Sequence, residues 1–339
     1  MKPRKVDNPP NPWASGHVEW LGRAPDAGLV VYEEQARSIL SENKSPDLPF
    51  RYGLNPYRGC FHGCIYCYAR PTHQYLDFGA GSDFERKIVV KTNAAERLAD
   101  RLDSPSWEPE TIVFSGVTDC YQPLEASYEI TRQCLQICAA RRNPVGIVTK
   151  GALIRRDVDL LADMASWRGV RVFVSIPFFD DETAWAIEPQ AAAVSQRFKT
   201  VGILADAGVD VGVSLAPVIP GLNDSDIPRI LERAADQGAR RAFMTLVRFP
   251  SPVDQVFEAR LPDAFPERAD RVLKAIDELR GGRLDESRFG HRMVGSGPRW
   301  EAMVQLFETT CRRIGISTSR DEGLNCEEFR RPGQQELGF

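Results

Sequence analysis

The sequence predicts an α/β fold: a partial (β/α)6 barrel flanked by N- and C-terminal extensions. Three observations predict it. From about residue 50, short β-branched or apolar runs alternate with stretches of helical spacing. The alternation amounts to six βα units, too few to close an eight-fold barrel but enough for an open one. Outside that region the character changes: residues 1–49 are rich in Pro, Gly, Asn and charge, and 251–339 carry two helical patterns and a polar tail. The 339 residues therefore divide into an extension over 1–49, a barrel core over 50–250 and a C-terminal extension over 251–339.

The elements follow in order. Tyr32–Leu40 reads as helical within the first extension. The first core strand is expected near Phe50–Asn55, and further strands at Thr111–Ser115, Gly146–Thr149, Val170–Ile176, Val209–Leu215 and Ala242–Val247. Ser127–Ala140, Arg155–Ser166, Ala191–Ala207 and Asp226–Gln237 repeat apolar residues at helical spacing between them. Gly208 and Gly238 stand where helices should stop, and Asn223-Asp224-Ser225-Asp226 offers N-caps. Asp263–Leu279 and Pro298–Ile314 complete the set. Strands joined this way run parallel, so chemistry is expected at their C-terminal ends.

Composition narrows the function. With 43 Lys+Arg against 47 Asp+Glu the net charge is −4, which excludes a bulk cationic field. Five Arg pairs (141–142, 155–156, 240–241, 312–313 and 330–331) form either a local basic stripe or solvated surface. The opening MKPRKVDNPPNPW has no apolar stretch behind it, unlike a secretory signal. No window approaches the roughly 18 apolar residues of a membrane helix, and a cytoplasmic location is expected. Eight cysteines in a reducing compartment read as metal or redox chemistry before disulfides.

The most informative stretch is Asn55-Pro-Tyr-Arg-Gly-Cys60-Phe-His-Gly-Cys64-Ile-Tyr-Cys67-Tyr-Ala-Arg70. Three thiols spaced C-x3-C-x2-C, with Gly59 and Gly63 letting the backbone curl, can face one centre as a cubane iron–sulfur cluster requires. A structural zinc site would show four ligands in two pairs, and no second C-x-x-C exists; His62 is an awkward fourth ligand inside the first spacing.

That spacing after the first strand of a βα-repeat chain resembles the radical SAM superfamily. NPYRGCFHGCIYCYARP, with SGVTDCYQPLE, VTKG, VSI, IEP and APVIPG, resembles its spore photoproduct lyase-like, "DNA repair photolyase" branch over roughly residues 45–250. The resemblance implies a TIM-like partial barrel of the radical SAM type. It also implies a [4Fe–4S] cluster on Cys60, Cys64 and Cys67, with S-adenosylmethionine on the fourth iron. One-electron cleavage then gives a 5′-deoxyadenosyl radical that abstracts hydrogen from substrate. The substrate class suggested is a DNA lesion or modified nucleobase, with flavodoxin or ferredoxin as reductant. A radical enzyme for a protein, peptide or metabolite, and a cluster-bearing binding protein, are the alternatives.

The same resemblance assigns S-adenosylmethionine contacts. Tyr66 precedes the third cysteine, a usual position for adenine contact. Ser115, Gly116 and Thr118 at the second strand's end would hold the methionyl amino group. Lys150 would pair with its carboxylate, Ser175 would meet the ribose hydroxyls, and the Ala216 backbone would meet adenine. Glu188 and Arg197 match the branch as S-adenosylmethionine contacts or as a buried ion pair. Tyr68 matches a tyrosine on the spore enzyme's hydrogen-transfer path. Cys120 is a hydrogen donor or a packed apolar cysteine; the spore enzyme's donor cysteine falls at Gly116 here.

Other residues carry weaker readings. Cys134 and Cys138, four apart on a helix, read as a core stripe, as does Cys311, while Cys326 is isolated in a loop. Arg58, Arg70, His73 and Lys91 either grip a phosphate-bearing substrate or satisfy local carbonyls and carboxylates. The terminal Gln334-Gln-Glu-Leu-Gly-Phe339 (QQELGF) resembles a sliding-clamp-binding peptide of Q-x-x-L-x-F form.

Overall fold

The computed structural model describes residues 28–282, 288–319 and 323–331. The strands are β1 (Val30–Glu34), β2 (Leu40–Glu42), β3 (Tyr52–Leu54), β4 (Tyr57–Arg58), β5 (Lys87–Lys91), β6 (Ile112–Phe114), β7 (Val145–Thr149), β8 (Val170–Ser175), β9 (Asp210–Val218) and β10 (Arg241–Leu246). The helices are α1 (Ser82–Arg86), α2 (Ala94–Asp103), α3 (Glu125–Tyr128), α4 (Ile130–Ala140), α5 (Val158–Ser166), α6 (Asp181–Ile187), α7 (Val194–Asp206), α8 (Ile227–Asp236), α9 (Val253–Ala264), α10 (Ala269–Arg280) and α11 (Pro298–Ile314).

The main sheet has the order β10-β9-β8-β7-β6-β3-β2. Six of its strands, β3 and β6 to β10, run parallel, and β2 pairs antiparallel with β3 at one edge. This is the expected α/β arc of six βα units. Strand alternation sets its two faces. Val170, Val172 and Val174 are buried under the helices, while Arg171 and Phe173 on the inner face stay half-exposed. Gly212 pairs with Phe173 and Arg241, and a Cβ there would lie 2.6 Å from the Phe173 ring, which meets the Phe243 ring at 4.9 Å. α8 buries Ile227, Ile230, Leu231 and Ala234, an i, i+3, i+4, i+7 stripe, behind a first-turn proline.

Several expected elements differ. Tyr32–Leu40 is not helical: the Val30-Val31-Tyr32 run instead pairs in parallel with β5, the backbone option that β-branched and aromatic residues favour. β5 is joined on its other side by β4, forming a small second sheet that the sequence reading did not anticipate. Ser127–Ala140 divides at Glu129, whose φ of 52° separates α3 from α4. Asp263–Leu279 divides between α9 and α10, because Phe265 precedes Pro266 and takes a non-helical φ, ψ of −140°, 71°.

The two extensions touch the core and each other. β10's outer edge is covered at one end by Ser317 and at the other by Met293, which accepts from the Leu246 N–H at 3.1 Å. Asp47 accepts from the Gly290 N–H at 2.7 Å and from Arg292 Nε at 2.6 Å. Among the described residues no helix is long and apolar enough to cross a membrane. QQELGF and the first 27 residues lie outside the described residues.

Candidate active site

The cysteine loop leaves β3 and is clamped from both sides. Cys60 and Cys64 are buried and Cys67 is half-buried; all three are free thiols. Cys60 N–H donates to the Phe84 carbonyl at 2.9 Å, and Ile65 N–H to that of Ile187 at 3.0 Å. Gly59 has a φ of +78°, and a Cβ there would lie 2.8 Å from the Phe84 carbonyl oxygen and 2.9 Å from the His73 ring. No side chain fits.

Arg70 is the loop's internal brace. Fully buried, it donates to the carbonyls of Gly63, Cys64, Ala80 and Gly81 at 2.7–3.2 Å, and it pairs with Glu85. Arg260 of α9 grips the same Glu85, tying the C-terminal extension to the loop. Burial pushes the Cys60 thiol well up, with Asp119 adding to it, and pushes Cys64 up to about 12 despite Lys150. Without iron these thiols stay protonated at neutral pH, so metal binding must displace their protons.

The donor set fits a cluster. Cys60, Cys64 and Cys67 are free thiols within one eight-residue loop, the soft donor type that a cubane cluster takes. His62 does not join them: it is buried, with Nδ1 3.4 Å from Asp119. Among the described residues no three His, Cys, Asp or Glu side chains gather as ligands of a single metal ion.

The second strand end meets the loop through two buried amides. Asn55 Oδ1 accepts from the N–H groups of Gly116 and Val117 at 2.8 and 2.9 Å. Gln122 Oε1 accepts from Phe61 N–H at 2.9 Å, while its Nε2 donates to Thr118 at 3.1 Å. The Thr118 hydroxyl itself donates to the Gly59 carbonyl at 2.5 Å, so it braces the cluster loop. Ser115 adopts a φ of 78°, uncommon away from glycine, and its hydroxyl accepts from Cys120 N–H at 2.9 Å. Cys120 is fully buried in the main core, the packed alternative of its two readings. Tyr68 is different: the residue is 44% exposed, and its hydroxyl donates to the Gly116 carbonyl at 2.8 Å.

The later strand ends converge on Glu188. It is fully buried, accepts from the Tyr66 hydroxyl, pairs with Arg197 at 2.5 Å and lies 3.8 Å from Lys150 Nζ. Arg197 also donates to the Ser175 carbonyl at 3.2 Å and to the Ala192 carbonyl at 2.7 Å, so it ties the end of β8 to the turn before α7. Burial alone would raise the Glu188 carboxyl, but Arg197, Lys150 and Tyr66 hold it below its ordinary value. The ion-pair reading of Glu188 and Arg197 is therefore the one the geometry displays. Ser175 donates to Ala216 at 3.4 Å, and its register partner Ser214 has a buried hydroxyl with no hydrogen-bond partner in the protein. An orphaned buried hydroxyl on the strand next to Ser175 fits a polar ligand such as S-adenosylmethionine.

Asp119 joins the strand ends: burial pushes its carboxyl up, but His62 and donors from Lys150 N–H and Thr149 hold it at about 2. Sequence reasoning missed Asn55, Asp119 and Gln122 as organisers; each is a buried polar residue that only tertiary contacts reveal. The phosphate-gripping reading of the cationic set is overturned for Arg70 and His73. Arg70 spends its donors on carbonyls, and His73 Nε2 donates to Lys87. Arg58 pairs with Glu34 at 3.4 Å.

Burial pushes His73 down to about 4 from 6.5, and its Nδ1 has no partner. Between those values the unfolded chain binds the extra proton, so stability is whole above pH ~6.5 and falls by about 3 kcal/mol on acidification toward 4. Melting temperatures of the wild type and His73→Gln across pH 4 to 8 check this. The variant is expected to lose most of the slope, and an unchanged slope contradicts the assignment.

The Radical SAM superfamily model matches residues 54–234. Uncharacterized proteins of Mycobacterium tuberculosis and Mycobacterium bovis are 38% identical over 255 residues, 74% of this chain and 74% of theirs. An uncharacterized protein of Methanocaldococcus jannaschii is 28% identical over 196 residues, 58% of this chain and 70% of its own. Among solved structures, spore photoproduct lyase complexed with dinucleoside spore photoproduct superposes with a TM-score of 0.62 at 16% identity, covering 84% of this chain and 80% of that one. A variant of the same enzyme with bound AdoMet and the dinucleoside photoproduct gives 0.59 at 15%, covering 85% and 82%. At such identities the likeness is one of fold.

Proposed function

Because the chain belongs to the radical SAM superfamily, we propose that it binds a [4Fe–4S] cluster through Cys60, Cys64 and Cys67 and acts on a damaged or modified nucleobase. When bound, the cluster and S-adenosylmethionine supply one-electron cleavage to a hydrogen-abstracting radical. One observation carries the reading: successive parallel strand ends bring Ser115, Lys150, Ser175 and Ala216 to the side of the barrel where the buried cysteine loop lies.

The chain's own residues supply the rest. Lys150, held charged because Glu188 offsets its burial, can face a carboxylate. Tyr66, its hydroxyl fixed by Glu188 and the Lys150 ammonium 5.7 Å from its ring centroid, presents an aromatic face suited to adenine. Ser175 and Ser214 offer hydroxyls suited to a ribose, and the Ala216 backbone approaches from β9. Tyr68, a partly exposed residue whose hydroxyl donates to the Gly116 carbonyl, is the better-placed carrier of a hydrogen atom; Cys120 lies behind Ser115 in the core. The nucleobase substrate rests on the branch motifs and on the fold shared with an enzyme whose structure holds a dinucleoside photoproduct. A small flavodoxin or ferredoxin is the expected reductant.

The test is anaerobic purification with iron and sulfide counts and dithionite-dependent formation of 5′-deoxyadenosine. About four irons per chain with cleavage are expected, both lost in a Cys60/Cys64/Cys67→Ala variant. Zinc in place of iron, with no response to S-adenosylmethionine, refutes the chemistry. If lesion-bearing DNA neither binds nor alters cleavage, the nucleobase substrate falls while the chemistry stands.

A further inference from the structure

Resting on the nucleic-acid reading, we infer that the rim beside Cys67 seats a single-stranded or everted stretch of nucleic acid, with a phosphodiester on Arg248 and bases against Tyr68 and Phe289. Arg248 lies two residues beyond β10, its guanidinium carbon 4.4 Å from the centroid of the Tyr68 ring. Tyr68 follows Cys67 directly and keeps 44% of its surface exposed. A second pair stands nearby: Arg292 lies 4.7 Å from the ring centroid of Phe289, which is 56% exposed. Leu246 N–H donates to the Met293 carbonyl at 3.1 Å, and Arg280 donates to the carbonyls of both Val247 and Arg292, which places the two pairs on one rim.

The partnering of these cations separates Arg248 from the rest. Arg70 and Arg260 share Glu85, Arg197 holds Glu188, and Arg292 holds Asp47 at 2.6 Å. Arg248, although half-buried, has no carboxylate within 4 Å among the described residues, and desolvation works against its charge. A half-buried guanidinium without a counter-charge is stabilised by an incoming anion, and its planar donor fork matches a phosphodiester. Asp47 is already engaged by Arg292 and the Gly290 N–H, so it leaves the rim net positive. Exposed rings flanking such a cation are what unpaired bases stack on, with little demand for sequence. A free phosphate or an acidic peptide would use Arg248 but gain nothing from two exposed aromatic faces. A paired duplex hides its base faces, so the rim favours single strands or bases turned out of the helix.

The test uses cluster-loaded protein and fluorescence anisotropy of a labelled oligothymidylate across a salt series. Arg248→Ala is expected to weaken binding about tenfold and to make the slope of log affinity against log salt shallower by about one. Arg248→Lys should keep the slope while losing part of the affinity. Phe289→Ala should also weaken binding about tenfold but leave the slope alone. Arg313→Ala, which breaks only an exposed pair with Glu232, is the surface-charge control and should bind like wild type. Iron content and melting temperature, unchanged in all four, show that the loss is not one of folding. If the wild type binds and Arg248→Ala and Phe289→Ala bind equally well, the rim assignment is overturned and the nucleic-acid reading survives. If the wild type does not bind although it cleaves S-adenosylmethionine, both fall. Competition by inorganic phosphate or polyglutamate as strong as by unlabelled oligonucleotide also overturns the assignment, leaving a simple anion site.

Discussion

Arg70→Met is expected to strip the protein of iron and to lower the melting temperature of the apoprotein by roughly 10 °C. The substitution removes a buried charge, deprives four loop and bracket carbonyls of a donor and leaves Glu85 to Arg260 alone. Breaking a buried ion pair from one side costs about 3–5 kcal/mol, and each unsatisfied carbonyl adds to that. Because two of the four carbonyls belong to Gly63 and Cys64, the damage reaches the loop that carries the thiols. Arg70→Lys restores the charge but not the fork, so it should recover stability in part and iron retention hardly at all. Calorimetry of the apoprotein with iron counts after anaerobic reconstitution reads both effects. Wild-type values in Arg70→Met would show that the loop holds its shape without the brace.

The second large effect is expected at Glu188. Glu188→Gln leaves Arg197 buried without its counter-charge, frees Lys150 and loosens Tyr66, at a cost of about 3–5 kcal/mol. A carboxyl held below its ordinary value contributes stability that is present above the unfolded value of about 4.5 and lost as pH falls through the folded one. Glu188→Gln should therefore flatten the acid limb of the wild-type stability profile. It should also weaken S-adenosylmethionine binding, measured by equilibrium dialysis on cluster-loaded protein. A double variant with Arg197→Met should be less destabilised than the sum of the single ones, because the two share one interaction. Strict additivity would show that the pair does not act as a unit.

The core strands and the cysteine loop were legible because their signals are local. β-branched runs such as Val170–Ser175 are bounded by turns, and three thiols at fixed spacing carry their own geometry. The small sheet was not legible, since β1 is strand only because β5 lies beside it, and β5 in turn braces β4 ahead of Gly59. The site's organisers were hidden for the same reason. Asn55, Gln122 and Asp119 look like ordinary polar residues until folding buries them against backbone groups 61, 61 and 31 positions away. Arg70 and His73 stood in sequence beside the thiols and suggested a substrate grip, yet both point into the protein's own carbonyls. Arg248, which has no carboxylate within 4 Å among the described residues, lies in a stretch that drew no notice, more than 170 residues from Cys67.

The bond from Asp47 to the Gly290 N–H spans 243 positions. Closing so long a loop is entropically costly, and such contacts form late. During synthesis the thiol loop and its β5 bracket are complete once residue 91 has emerged, whereas Arg260 and Arg292 come far later. The order of manufacture is therefore thiol loop and Arg70 first, Arg248 much later and Arg260 and Arg292 last, so a nascent chain exposes its three sulfurs well before the C-terminal parts that flank them exist.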